Sequence, residues 1–332
     1  MDFDFLGLLS LAVVTLIVFV LAKRQPAIAT ILYVALGIRL LVILLNQDIF
    51  TVPDSIGDAG RFELRAHVWS EKGFLYLVSN IPFFSSFFIS WVIAILYSLF
   101  GQSELMGQSL SLLFGMGSVF MGWSLVKKLW NQSAANKAGW VLALFPTLVL
   151  YSCVILREAY VCFFLLFTMN AIVNWIHNRN LKSLILVAVG FIGATFFHGP
   201  MIIGAMCFFL ILLLESIKII FINLINFRIN FKSLLIFIVL VTSVILTKDF
   251  KLQKVGGSLY ELDTKIEQIL RKSRDFDKGT AKYPSWAVPK NEIELLYKGP
   301  IRITYFVFSP FPWDIKKSAH IIGMIDGFLY IF

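Results

Sequence analysis

Charge is scarce in this chain of 332 residues: Asp, Glu, Lys and Arg together make up 15%. So few ionic side chains cannot cover the surface of a water-soluble protein of this size. Cysteine is scarcer still, with only Cys153, Cys162 and Cys207, all in or beside apolar stretches and none in a C-x-x-C pair. That excludes a disulfide framework and a cysteine zinc site, and leaves packing as their role. Also missing are a glycine loop that could cradle phosphates, an H-E-x-x-H helix and a G-x-S-x-G elbow, so no local signature announces a reaction. No repeat recurs at a solenoid period.

Hydrocarbon takes the place of charge. Hydrophobic residues reach 58% and phenylalanine alone supplies 33 residues, while mean hydropathy is +0.82. A bilayer core of about 30 Å takes roughly 20 apolar residues per helical crossing. Such stretches fall at 5–22, 27–46, 106–126, 138–154, 159–176, 183–198, 201–220 and 233–248, with weaker ones at 301–313 and 318–332. The chain reads as an all-α polytopic membrane protein. Its parts are a transmembrane bundle over 1–248, an extracytoplasmic segment over 249–300 rich in charges of both signs, and C-terminal membrane segments over 301–332. The apolar end after His320 fits either a terminus within the membrane region or a piece of a longer protein.

Asp2 and Asp4 precede the first stretch and Lys23-Arg24 follow it, the reverse of a secretory signal, so this span is retained with its N-terminus outside. The net charge of +9 sits in short loops, where orientation and anionic membrane lipid explain it better than nucleic acid does. Lys23/Arg24, Lys127/Lys128/Lys137, Arg179/Lys182 and Lys218/Arg228/Lys232 should all face the cytoplasm. Two loops on one side are joined by an even number of crossings, and 27–46 and 106–126 already provide two. Segment 84–100 is then surplus. It reads as a helix lying at the interface or dipping in and returning, with a true crossing over 74–100 as the alternative.

This topology collects polar residues on the outer face, in loop 47–105, at Arg157-Glu158, at His198-Gly199-Pro200 and in 249–300. The richest cluster runs Asp58, Arg61, Glu63, Arg65, His67. With Arg61 onward helical, Asp58 stands at a helix N-terminus, where the dipole favours a carboxylate, and Glu63 and His67 share a face; a plain helix cap is the simpler role. Arg157-Glu158 lies almost inside an apolar run, where ionisable groups are costly and face a cavity or each other. His198 is a turn histidine at the interface. Arg302 opens an apolar stretch and would contact phosphate or snorkel to the interface.

The order of features from Gly57 to about Asn174 resembles the N-terminal module of GT-C class glycosyltransferases, polytopic enzymes that use lipid-linked sugars and include protein mannosyltransferases and aminoarabinose transferases. Asp58, Phe62 and Ala66 match a D-x-x-x-Y/F-x-x-x-A pattern in the first large external loop, and Pro82 with Leu99-Phe100-Gly101-Gln102-Ser103 matches the interfacial segment and its L-F-G-x-S end. Lys127-Lys128-Leu129-Trp130 with Ala134-Ala135 matches a basic cytoplasmic end, and Pro146 followed by Glu158 matches a span with an internal proline before a second external acid. Two departures stand out: an extra span before the aspartate loop, and Leu105-Met106-Gly107 where the family has an arginine.

The resemblance implies a GT-C-like helical bundle with an interfacial helix in its first external loop. It implies transfer, with inversion, of a sugar from a polyprenyl-phosphate donor to a glycan or lipid-linked acceptor, outside a bacterial cytoplasmic membrane. Asp58 is then the base, and Glu158 a second carboxylate orienting the acceptor or a divalent metal. Arg157 or Arg302 would contact phosphate, with Arg61, Glu63, Arg65, His67 and His198 lining the substrate site. A Wzy-like polysaccharide polymerase or ligase would lean instead on Arg61, Arg65 and 249–300. A transporter or flippase would use the Arg157-Glu158 pair without chemistry.

Overall fold

A computed structural model describes residues 4–48, 55–83, 85–226, 238, 283–315 and 318–329, and among these there are helices and turns but no strand. Among the described residues five helices are long and apolar enough to cross a membrane. Together with the composition, they make the chain an integral membrane protein. Its described residues divide between two compact units, the first holding those up to 144 and from 148 to 238, the second 145–147 and those from 283 onward, so that the helix beginning at Pro146 has its first two residues counted with the second.

In the first unit α1 (Phe5–Arg24) and α2 (Ala29–Asp48) form an antiparallel pair. The external loop folds as one wide turn, Ser55–Ala59, followed by α3 (Gly60–Ser70), α4 (Phe74–Ser79) and α5 (Phe88–Phe100). Then come α6 (Glu104–Leu129), α7 (Gln132–Leu144), α8 (Pro146–Tyr151), α9 (Arg157–Asn178), α10 (Leu181–Phe197) and α11 (Ile202–Ile225). The helix starts are written in the sequence. Asp4 accepts from the Gly7 N–H at 2.8 Å, Ser103 from Met106 at 3.0 Å and Asn180 from Ser183 at 2.8 Å, each satisfying an orphan donor of a first turn.

Two of the expected spans take a different form. Residues 138–154 make no continuous span: Pro146 has no N–H to offer the preceding turn, so the chain breaks into α7 and the six-residue α8. Segment 84–100, expected as a surplus helix, forms the 13 residues of α5, about 20 Å at 1.5 Å per residue and too short to cross, and the alternative crossing over 74–100 is divided between α4 and α5. Its buried face, including Phe88, Ile89, Ile93 and Ala94, packs on α3, and Ser90 Oγ donates to the Phe62 carbonyl at 2.8 Å. In the second unit the helix Glu292–Phe308 runs through Pro300, across the expected boundary at 300/301, and a second helix spans Ser318–Leu329. The expected span 233–248 and most of 249–300 lie outside the described residues.

Hydrogen bonds between helices fix how they run. Ser103 Oγ donates to the Asp4 carboxylate at 2.6 Å, so α6 starts where α1 starts. Tyr160 meets Ser111 at 3.2 Å near the starts of α9 and α6, and Lys128 Nζ donates to Asn170 at 2.9 Å near their ends, so these two are parallel. Arg179, after α9, pairs with Glu215 in the C-terminal half of α11. One end of the unit therefore carries Lys23, Arg24, Lys127, Lys128, Lys137, Arg179, Lys182 and Lys218 against the acid Glu215. The opposite end carries the acids Asp4, Asp58, Glu63, Glu71, Glu104 and Glu158 together with the bases Arg61, Arg65, Lys72 and Arg157. Close approach needs small residues: a Cβ on Gly115 of α6 would lie 2.2 Å from the Ser152 Cβ, and one on Gly190 of α10 would lie 2.2 Å from Thr168 Oγ1.

Candidate functional site

The acidic end of the first unit holds most of the residues singled out from the sequence. Asp58 lies in the wide turn before α3, where its carboxylate pairs with Arg61 at 3.6 Å; both side chains are well exposed, at 63% and 78%. It caps nothing. Ala59 occupies the N-cap position of α3 and no side chain closes that helix, so the simple capping role does not account for Asp58.

Glu63 and His67, one helical turn apart, look to different partners. Glu63 accepts from Gln102 Nε2 at 3.1 Å and faces the Tyr97 hydroxyl at 3.5 Å. Burial first, and then the Glu63 and Glu104 carboxylates, push the Tyr97 hydroxyl well above the ordinary phenol range, so it stays a proton donor. His67 Nε2 lies 3.7 Å from Glu71, while its Nδ1 is buried without a partner. Arg65 is held flat by aromatics, its guanidinium 3.7 Å from the Phe87 ring centre and 5.9 Å from that of Trp69.

Arg157 and Glu158 open α9 and pair with each other, Nε to Oε1 at 3.2 Å. His198 ends α10, its N–H bonded to the Ala194 carbonyl at 2.9 Å. One apolar cluster ties these places together: it contains Ala59, Phe62 and Ala66 of α3, then Leu156, Ala159 and Tyr160, then Phe197. Asp58, Glu158 and His198 are each a chain neighbour of one of its members. Among the described residues no hydrogen bond or ion pair joins Asp58 to Glu158. Arg302 belongs to the second unit, where its guanidinium stacks 4.6 Å from the Tyr283 ring and its Nε is buried without a partner. Among the described residues no three His, Cys, Asp or Glu side chains gather as metal ligands.

Sequence reasoning passed over Arg39, which is 1% exposed in α2. Its Nε donates to Ser152 Oγ at 2.8 Å, and its Nη1 to the carbonyls of Ala35 at 3.1 Å and Ala143 at 2.9 Å. The signal was there: a single arginine inside the apolar run 27–46, where a cation is costly unless partnered. A small cavity of about 30 Å³ touches Arg39, Ser118, Tyr151 and Glu158, room for one or two waters.

No family model, no curated protein and no solved structure matches this chain.

Proposed function

We propose that the chain transfers a sugar from a polyprenyl-phosphate-linked donor to a glycan or lipid-linked acceptor at the outer face of the membrane. One observation carries this reading: Asp58 and Glu158 flank a common apolar cluster, with the short helix α5 packed against α3 and a surplus of bases at the opposite end. Positively charged ends favour the cytoplasm, which puts both carboxylates outside. An exposed carboxylate such as Asp58 can accept the proton of an acceptor hydroxyl as that oxygen attacks the anomeric carbon. Glu158 would orient the acceptor. The departing phosphate needs a cation, and Arg61, 78% exposed and held to Asp58 only at 3.6 Å, is better placed for it than Arg157, 25% exposed and held to Glu158 at 3.2 Å.

A transporter or flippase without chemistry is the second reading. The break between α7 and α8 and the buried Arg39 favour it, because interrupted helices with polar groups at depth line substrate paths in transporters.

Surface glycans and lipid-linked sugars of the native host, compared among the parent, Asp58→Asn and Glu158→Gln at equal membrane abundance, decide between them. Transfer chemistry predicts loss of one glycan in both variants, with the lipid-linked donor accumulating outside. An unchanged glycan in Asp58→Asn overturns the proposed base. Donor trapped on the inner face supports transport.

A further inference from the structure

Arg39 is the only buried base among the described residues, and its partners outside its own helix all belong to one short stretch of chain. Upstream of the α7–α8 break it donates to the carbonyls of Ala143, at 2.9 Å, and Leu142, at 3.4 Å. The second of these is the carbonyl that Pro146, lacking an N–H, leaves without its helical partner. Downstream of the break it donates to Ser152 Oγ at 2.8 Å, and Cys153 Sγ donates back to the Arg39 carbonyl at 3.4 Å. The guanidinium thus grips both sides of the six-residue α8. Ser152 cannot retreat from it, because Gly115 of α6 presses against its other side so closely that a Cβ there would overlap it.

Just beyond this grip the chain turns through Val154, Ile155 and Leu156, all buried, and starts α9 at Arg157. The cavity that touches Arg39 and Tyr151 also touches Glu158. In a membrane, freed backbone groups must find partners within the protein, and here one side chain supplies them at the point that sets where α9 begins.

We propose that Arg39 is a positioning residue: by clamping the broken helix across α8 it fixes the Arg157–Glu158 turn at the outer end of the first unit. The inference rests on the reading that Glu158 belongs to the functional site, but its test needs no enzymatic product. Cysteine reporters at Glu158→Cys and, as an exposed control on a different element, Lys72→Cys are placed singly in a background with Cys153→Ala, Cys162→Ala and Cys207→Ala. The purified protein in liposomes is then treated with a membrane-impermeant maleimide.

Arg39→Gln should raise the labelling rate at position 158 by about tenfold or more, the consequence of losing charge-assisted bonds, and leave position 72 unchanged. Arg39→Lys, which keeps the charge and part of the donor set, should restore much of the parent rate. Pro146→Ala added to Arg39→Gln should also restore it, since it gives the Leu142 carbonyl a helical N–H. An unchanged rate at 158 overturns the proposal, and so does a rise shared equally by 158 and 72. If Arg39→Gln fails to accumulate, recovery of the protein by Pro146→Ala supports the clamp and absence of recovery overturns it. A positive labelling result with unaltered glycans in Glu158→Gln would refute the transferase reading and leave the clamp standing.

Discussion

Gly115→Ala should destabilise the first unit although alanine is the better helix former. The new Cβ would lie 2.2 Å from the Ser152 Cβ and 2.9 Å from its Oγ, against an ordinary contact distance well over 3 Å. Ser152 has no room to yield, since its hydroxyl is held by Arg39 at 2.8 Å and lies 2.8 Å from the carbonyls of Leu148 and Val149. Helix α6 must move instead. Overpacking of this kind costs about 1–3 kcal/mol, and the removal of a helical glycine returns roughly 0.5–1 kcal/mol, for a net loss of about 2 kcal/mol at the severe end of the range. Gly37→Ala in α2 meets nothing within 4 Å and should gain that smaller amount. Thermal unfolding in detergent, followed by intrinsic fluorescence, should rank Gly37→Ala above the parent and the parent above Gly115→Ala. Adding Ser152→Gly removes both clashing atoms and leaves the Ser152 Cα at an ordinary 3.6 Å, so it should recover part of the loss, whereas Ser152→Ala keeps the clashing Cβ and should not. A Gly115→Ala protein as stable as Gly37→Ala would refute the packing argument.

Ser103→Ala removes both the cap on α6 and the bond to Asp4; an unfolding titration should show a loss of about 1–2 kcal/mol, with Asp4→Asn losing less. Tyr97 has its hydroxyl raised by burial, so the folded state holds that proton more tightly than the unfolded chain does. The resulting stability is present below the ordinary phenol value of about 10 and is lost as pH climbs above it; melting temperatures at pH 9 and pH 11 should diverge more in the parent than in Tyr97→Phe. Arg179 adopts a left-handed backbone, φ 48°. Arg179→Gly should therefore be more stable than Arg179→Ala by about 1 kcal/mol, since both lose the same side-chain partners and glycine alone is free of the backbone penalty. For orientation, a membrane-impermeant thiol reagent on intact cells should label Lys72→Cys and spare Lys182→Cys; the reverse pattern would turn the bundle over.

The sequence carried the membrane class and five of the long helices openly, because length and apolar content alone decide a crossing. Counting charged loops also singled out 84–100, which forms the 13-residue α5. Less legible was 138–154, where hydropathy reads through Pro146 while the backbone breaks there. At the candidate site, the pairing of Asp58 with Arg61 and of Arg157 with Glu158 follows from local spacing. That α3 and the start of α9 share one cluster does not, because it joins residues about a hundred positions apart. Arg39 was visible as an anomaly, but its meaning depends on Ala143 and Ser152, more than a hundred residues away, and only the fold brings them to it.

The uneven distribution of charge along the first unit has an electrical consequence. Eight bases at one end stand against the acid Glu215 among the described residues there, a surplus of seven positive charges. Across a membrane negative inside by about 100 mV, each such charge is favoured on the inner side by about 2.3 kcal/mol, so carrying the surplus of that end alone to the outer side would cost on the order of 16 kcal/mol. An energised membrane would thus pull the basic end inward during insertion, the orientation that the proposed function requires of Asp58 and Glu158.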